Sequence, residues 1–546
     1  MSYLKMQMRI GLNSNGYLSS ISDPENRAYT MTYHDGGLLA TFADPNGNTN
    51  KLTYNSLGKL AKDEDAAGGY QTLALSVDGK TKTVNLNTAM GRTTIMSVSD
   101  RLQNASLREI VAPDGTRTIT EFRGDETTVT RYADGTITTA TSGPDIRYGM
   151  LSPIPTSTEI VLPDGMTSTA AVKQEGLFSD PADRLSIQQQ TYTITENGRI
   201  STSVYDFGTQ TFTNTSPEGR QSVRTINARG RTTSTHIPGI EPVYYNYDSR
   251  GRLQSITQGT GGNQCVSRIN YGDDGFVSDT KDALNRSAGF NYDLSGRVTS
   301  QDLPGSRTVA FNYDASGNVT GITPPQKPEH IFGYTPVDLA ASYDHPSVSG
   351  IGDPATAYEY NLDKQLTLAT RPDGRTIAYN YGSRNGRLES IIATTAGQYT
   401  YGYDTAGRIS SITAPGNETL TFSYNGPLQL QEKWQGIING QFDWEYDNNF
   451  WPVAQSVNNG EIIYYDYDDD GLLTDAGELS LSRNAQNGLL TGTTTLGDIT
   501  DAWTYNGFGE TTNYTAAVNF FYYFFIYSTS SNFSDHNSLN ARKSSL

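Results

Sequence analysis

The sequence of 546 residues holds a single cysteine, Cys265, and five histidines, His34, His236, His330, His345 and His536. One cysteine excludes an intrachain disulfide framework, and because a large core needs no staples it leaves the redox compartment open. The histidines are dispersed with no His-Glu-x-x-His, which argues against zinc hydrolysis. Positive charge is short, 40 Lys+Arg against 58 Asp+Glu, and the net charge of -18 repels phosphate backbones and anionic lipid, so nucleic acid is not an expected partner. No apolar run is long enough for a membrane span, and the first residues, Met-Ser-Tyr-Leu-Lys-Met, lack the apolar core of a secretory signal. There is no Gly-x-Ser-x-Gly elbow, and Gly79-Lys80-Thr81 has Ala74 where a phosphate loop needs its first glycine.

Rings and glycine are abundant instead: 35 Tyr, 18 Phe and 54 Gly. So many aromatics argue against disorder, and with Thr and Gly they point to short strands and many turns. A repeat supplies both. Tyr247-Asp248-Ser249-Arg250-Gly251-Arg252-Leu253 returns at Tyr292-Asp293-Leu294-Ser295-Gly296-Arg297-Val298, at Tyr313-Asp314-Ala315-Ser316-Gly317-Asn318-Val319 and at Tyr403-Asp404-Thr405-Ala406-Gly407-Arg408-Ile409. The period is about 21 residues, as in Tyr271, Tyr292 and Tyr313, or in Tyr403, Tyr424, Tyr446 and Tyr467.

Each period reads as one β-hairpin plus a link. Asp bonds its own backbone two residues on and Gly accepts positive φ, so Asp-x-x-Gly closes a tight reversal, while Pro372-Asp373-Gly374, Pro113-Asp114-Gly115 and Pro163-Asp164-Gly165 make the opposite turn. The strand before each Tyr-Asp turn alternates with period two and carries rings on one face, as in Tyr399, Tyr401, Tyr403 and Phe442, Trp444, Tyr446. Stacked in phase, these hairpins predict an all-β protein built on a long antiparallel sheet with aromatic columns.

At these residues the chain resembles the YD-repeat family: the Rhs proteins, the C component of bacterial insecticidal toxin complexes and the YD shell of teneurins. The resemblance runs over residues 29 to 510. It implies that the hairpins wind as one spiral sheet into a hollow shell, that bacterial members enclose a C-terminal toxin, and that the protein is secreted or at the cell surface. The Asp-Pro-x-Gly closure of those members does not follow residue 510. Asp44-Pro45-Asn46-Gly47 has its letters but reads as an ordinary turn, and Asn519 to Tyr527 turns aromatic before a Ser/Asn-rich tail, so a truncated or frame-disrupted shell is expected.

Residues 1–75 form N-terminal repeats, 76–240 divergent hairpins of the same sheet, 241–510 the regular array and 511–546 an atypical tail. The expected structural residues are Tyr247, Asp248, Gly251, Tyr292, Asp293, Gly296, Tyr313, Asp314, Gly317, Tyr403, Asp404 and Gly407. Asp466, Asp468 and Asp470, in Asp-x-Asp-x-Asp-Gly471, match the opening of a calcium loop, but Gly477 stands where the bidentate Glu belongs, so a turn is the stronger reading and no cofactor is expected. Cys265 is expected as a small buried hydrophobe, and Arg252, Arg297 and Arg408 are expected to pair with acids of the next hairpin. The function these features predict is a non-catalytic shell scaffold for a toxin or effector cargo, or for the remaining shell segment. The alternative is a cell-surface adhesion or glycan-binding repeat protein, with a hydrolase third.

Overall fold

The computed structural model describes residues 8–102, 105–346, 355–495 and 499–518, and among them every regular element is a strand. One 46-stranded sheet runs from β1 (Arg9–Leu12) to β46 (Thr511–Val518), each strand antiparallel to the next in the chain. This is the simplest topology a chain of hairpins can take, because every connection joins strands that are neighbours in the sheet. Among the described residues β1 pairs only with the strand after it and β46 only with the strand before it, so the two edges of the sheet do not meet there. The sheet continues through Thr511–Val518, past the expected border at 510, and the aromatic segment from Asn519 lies outside the described residues.

The sheet is a single layer. Its buried apolar side chains are few and scattered, Met31, Val129, Leu162, Ile187, Ala369 and Ala454. The chain exposes 33963 Å², whereas a compact fold of its mass would expose about 19,000 Å². Cohesion comes from ring columns: Phe332 stacks on Tyr343 across a strand pair at 5.2 Å, and Phe442 lies 5.7 Å from Trp444 along one strand. The residue before the motif tyrosine faces solvent while the ring is half-buried, as in Asn312–Tyr313 and Glu445–Tyr446. The predicted period of two is therefore present, with one face richer in rings.

The sheet winds and stacks on itself. The turn between β2 (Leu18–Ser22) and β3 (Ala28–Tyr33) meets the turn between β25 (Ser287–Tyr292) and β26 (Val298–Leu303), where the Ser295 hydroxyl donates to Asp23 at 2.7 Å. The turn between β8 (Thr81–Thr88) and β9 (Thr93–Asp100) meets that between β31 (Ala355–Tyr360) and β32 (Leu366–Thr370), joined by Arg92 and Asp363 at 2.8 Å. The turn between β18 (Thr211–Thr215) and β19 (Gln221–Ile226) meets that between β41 (Ile462–Tyr467) and β42 (Leu473–Ala476), joined by Arg220 and Asp470 at 2.5 Å. In all three the partner turn lies 23 strands further on. An odd count is required: successive turns alternate between the two edges of the sheet, so only an odd offset sets an upward turn beneath a downward one. The Tyr-Asp turns of the upper winding thus rest on the opposite turns of the lower, and a backbone bond from Glu241 to Gly507 at 2.6 Å ties the seam to the adjoining turn, 25 strands on.

Candidate functional site: the repeat turn and its neighbours

The motif turn is a type I turn closed by a bulge. Gly296 N–H donates to the Asp293 carbonyl at 3.1 Å, Asp293 N–H to the Arg297 carbonyl at 2.9 Å, and the ladder slips one residue between Asn291 and Tyr292. The bulge needs a left-handed residue, which is Gly251 (φ 83), Gly296 (φ 81), Gly317 (φ 99) and Gly407 (φ 91). The aspartate then caps its own turn. Asp293 Oδ1 accepts from the N–H groups of Ser295 and Arg297, both at 2.9 Å, and Oδ2 from Arg297 Nε at 2.6 Å. Asp248 with Arg252 and Asp404 with Arg408 repeat this arrangement, and at Asp314 the donor is Asn318 Nδ2 at 2.9 Å. The Arg252 N–H, followed by its guanidinium, holds the Asp248 carboxyl below the ordinary range. At Asp404 burial pushes upward but is outweighed by the same two donors from Arg408, leaving a net lowering.

The motif tyrosine ties its repeat to the one before. Its hydroxyl donates to the backbone carbonyl 15 residues back: Tyr247 to Thr232 at 2.7 Å, Tyr292 to Val277 at 2.9 Å, Tyr313 to Val298 and Tyr403 to Leu388 at 2.8 Å. Val298 and Leu388 each open the strand that follows a turn, so each ring pins the strand exit of the preceding turn. Burial raises the phenol pKa at Tyr292, Tyr313 and Tyr403.

The motif arginine ties its repeat to the one after, by a route other than the expected one. Arg252, Arg297 and Arg408 pair with the aspartate of their own turn, four residues earlier, and not with acids of the next hairpin. The flat guanidinium then covers the next motif ring, with Arg252 4.0 Å from the Tyr271 centroid, Arg297 4.6 Å from Tyr313 and Arg408 4.5 Å from Tyr424. A remaining N–H reaches the next turn, as Arg297 does to the Asp314 carbonyl at 2.9 Å. These ring faces are occupied by arginine.

The calcium-loop residues are divided. Asp466 lies in β41, in register with Asp475 of β42. Asp468 and Asp470 sit in the turn and share one guanidinium, Arg220, at 2.7 and 2.5 Å. Asp470 also accepts from Ser216 Oγ at 2.8 Å and the Glu218 N–H at 3.0 Å. Burial raises the Asp470 pKa, but those donors together bring it below its ordinary value. Among the described residues no group of three or more His, Cys, Asp or Glu is placed to hold a metal ion. Cys265 opens the strand Cys265–Tyr271 and is exposed, contrary to the expected burial, although it stands in register with Gln258, because a single sheet layer has no second layer to cover it. Asp44–Gly47 is a turn as expected, but it is a contact too: Asn46 Nδ2 donates to Asp314 at 3.0 Å. Sequence reasoning missed every contact of this kind, since the partners lie some 270 residues away.

A one-layer wall whose repeats are pinned backward by tyrosine and forward by arginine, and whose windings stack turn on turn, defines a YD-type repeat shell. The chain belongs to the Teneurin YD-shell family, which matches residues 2–538. It is 35% identical over 108 residues to human (Homo sapiens) Teneurin-4 and 34% identical over 108 residues to that of Mus musculus, in each case 18% of this chain and 4% of the relative's length. Among solved structures, a Photorhabdus luminescens Tc holotoxin pore is similar over 89% of this chain and 30% of that one, with a TM-score of 0.53 at 11% identity. At that identity the likeness is one of fold.

Proposed function

We propose that this chain is a section of the wall of a protein compartment, a scaffold that shields or presents a polypeptide effector and does no chemistry of its own. The observation that carries the reading is the self-stacked single layer: strands that each have only chain neighbours, wound so that every 23rd strand brings turn onto turn. A globular enzyme buries its sheet between layers to build one core, whereas this sheet leaves both faces half-exposed and spends its side chains on joining repeats. Three acids of the seam turns, Asp114, Asp363 and Asp470, are each bound to a guanidinium, which supports a structural role for them.

The test has two readouts on the full chain. Electron microscopy should resolve a curved wall one sheet thick around a separate interior, and a filled globule would overturn the reading. An unfolded, protease-sensitive reporter fused after residue 546 should be cut more slowly than the same reporter fused to an unrelated folded protein. Cleavage at the same rate would remove the shielding role and leave only presentation.

A further inference from the structure

A winding of 21 or 25 strands is odd as well and would also set turn over turn. Parity therefore does not choose 23, and the choice must come from the contacts at the seam. Backbone ladders do not supply it, because they join each strand only to its chain neighbours.

We propose that the second variable residue of the Tyr-Asp-x-x-Gly turn is the position at which one winding recognises the winding below it, so that the strand count of the spiral is set by a polar code carried in the motif. At five turns of the upper winding this position is Ser295, Ser316, Asp363, Asn449 and Asp470, and each of these makes a cross-winding bond. The two serines meet Asp-Pro turns: Ser295 Oγ donates to Asp23, and Ser316 Oγ accepts from the Asn46 N–H at 3.3 Å. Asp363 accepts from Thr88 Oγ1 and Arg92 Nη1, both at 2.8 Å, and from the Met90 N–H at 3.3 Å. Asn449 Oδ1 accepts from Asn197 Nδ2 at 2.7 Å and Arg199 Nη2 at 2.8 Å. Asp470 takes the three donors of the Ser216–Arg220 turn described above. The code does not fill every turn: the position is apolar at Val337 and Ala406, and the turn after Tyr381 is joined to the winding below through Arg387, at its strand exit, which pairs with Asp114.

Two features mark this as recognition and not incidental packing. The residue separation across the seam slides from 272 at Asp23–Ser295 to 250 at Arg220–Asp470, yet the offset is 23 strands at both, while Lys364 with Asp65 at 3.3 Å, Arg199 with the Asp469 carbonyl at 3.2 Å and Glu241 with Gly507 reach the adjoining lower turn, 25 strands away. The contacts therefore follow turns, and the lower winding absorbs its extra residues elsewhere. The code is also not uniform along the seam. Hydroxyls face Asp-Pro turns at one end and carboxylates face arginine turns further along, so a slip of one hairpin to an offset of 21 would set Val337 against Arg92 and Asn449 against Arg220, where each needs a carboxylate. Arg92 is only 5% exposed, and a buried guanidinium without its partner is strongly disfavoured.

Cysteine pairs in a Cys265→Ser background read the offset directly. Asn46→Cys with Ser316→Cys reports 23 strands, and Asn46→Cys with Ser295→Cys reports 21. With the natural code only the first pair should close. Erasing the code with Asp363→Ser, Asn449→Ser and Asp470→Ser should lower the yield of the first pair about a hundredfold or more, the equivalent of one lost buried ion pair, and the second pair should appear. An unchanged yield of the first with none of the second would overturn the proposal and assign the count to sheet curvature. If the erased variant fails to fold, the charge exchange decides: Arg220→Asp should abolish the native cross-link and adding Asp470→Arg should restore it, and absence of restoration overturns the proposal.

Discussion

The two windings build the same arc of wall from different amounts of chain. Between the Asp23–Ser295 and Arg220–Asp470 contacts both use the same number of strands, but the lower contains the long strands Gly149–Val161 and Thr167–Phe178, 13 and 12 residues, while the upper is built of strands of four to eight residues. The excess sits on the free edge. There the lower winding's turns vary, from the two-residue reversal at Gly79-Lys80 to the long excursion over Ser179–Ser186. On the seam side the turns at Thr88–Arg92, Ala112–Thr116, Leu162–Met166 and Ser216–Arg220 keep the same pair of backbone bonds as the Tyr-Asp turn. The seam is not uniform, since its turn at Asn197-Gly198 is itself a two-residue reversal and the one at Gly382–Arg387 is a residue longer, so contact between windings is compatible with more than one turn geometry.

The comparison can be broken at its strongest contact. Arg92→Ala should destabilise by about 3–5 kcal/mol, since it strands the Asp363 carboxylate, whereas Arg375→Ala on the free edge of the upper winding, 54% exposed, should stay within about 0.5 kcal/mol. Equal effects in urea denaturation would mean the seam carries no special weight. Acid should act next. At Asp23, Asp114, Asp314 and Asp470 burial raises the pKa but seam and turn donors outweigh it, so each sits below 3.8. A depressed carboxyl contributes stability that is full above its unfolded pKa and is lost as pH falls through the folded one, so the urea midpoint should be flat from about pH 5 to 9 and drop below about pH 4. The motif tyrosines behave oppositely: burial lifts Tyr292, Tyr313 and Tyr403 above 10.0, and their contribution should disappear as pH rises past that value.

Smaller effects sharpen the picture within one winding. Gly317→Ala should cost about 1–2 kcal/mol from φ 99 alone, as nothing lies within 4 Å of the added carbon. Phe450 occupies the equivalent position with φ 63, so Phe450→Gly should relieve a comparable backbone strain, less whatever its ring contributes. Tyr313→Phe removes the bond to the Val298 carbonyl and should cost about 1 kcal/mol, read as a shift in the thermal midpoint. Smallest of all, Leu151→Ser, at a residue 95% exposed on the free edge of the lower winding, should change stability by less than about 0.5 kcal/mol.

Much of the fold was legible because its signals are local. Tyr, Asp and Gly fall within five residues, and the turn they make, the period of two and the meander all follow from short-range chemistry. Even Pro113-Asp114-Gly115 and Pro163-Asp164-Gly165 stood out as opposite turns. The seam was not legible, since Arg220 and Asp470 are 250 residues apart and neither belongs to the invariant letters of the repeat. Asp468 and Asp470 show the ambiguity: alternating carboxylates before a glycine suit a cation, and only the fold brings a guanidinium from the winding below. Cys265 was misplaced for a related reason, because a one-layer wall has little interior in which to bury a small side chain.

An odd winding of 23 strands also constrains how such a chain can be inherited. Duplicating or deleting one hairpin leaves each local ladder whole and preserves parity, yet it reassigns every downstream turn to a different neighbour in the winding below. Letters within a repeat can change one at a time, whereas the number of repeats per circuit can change only together with the residues that face one another across it.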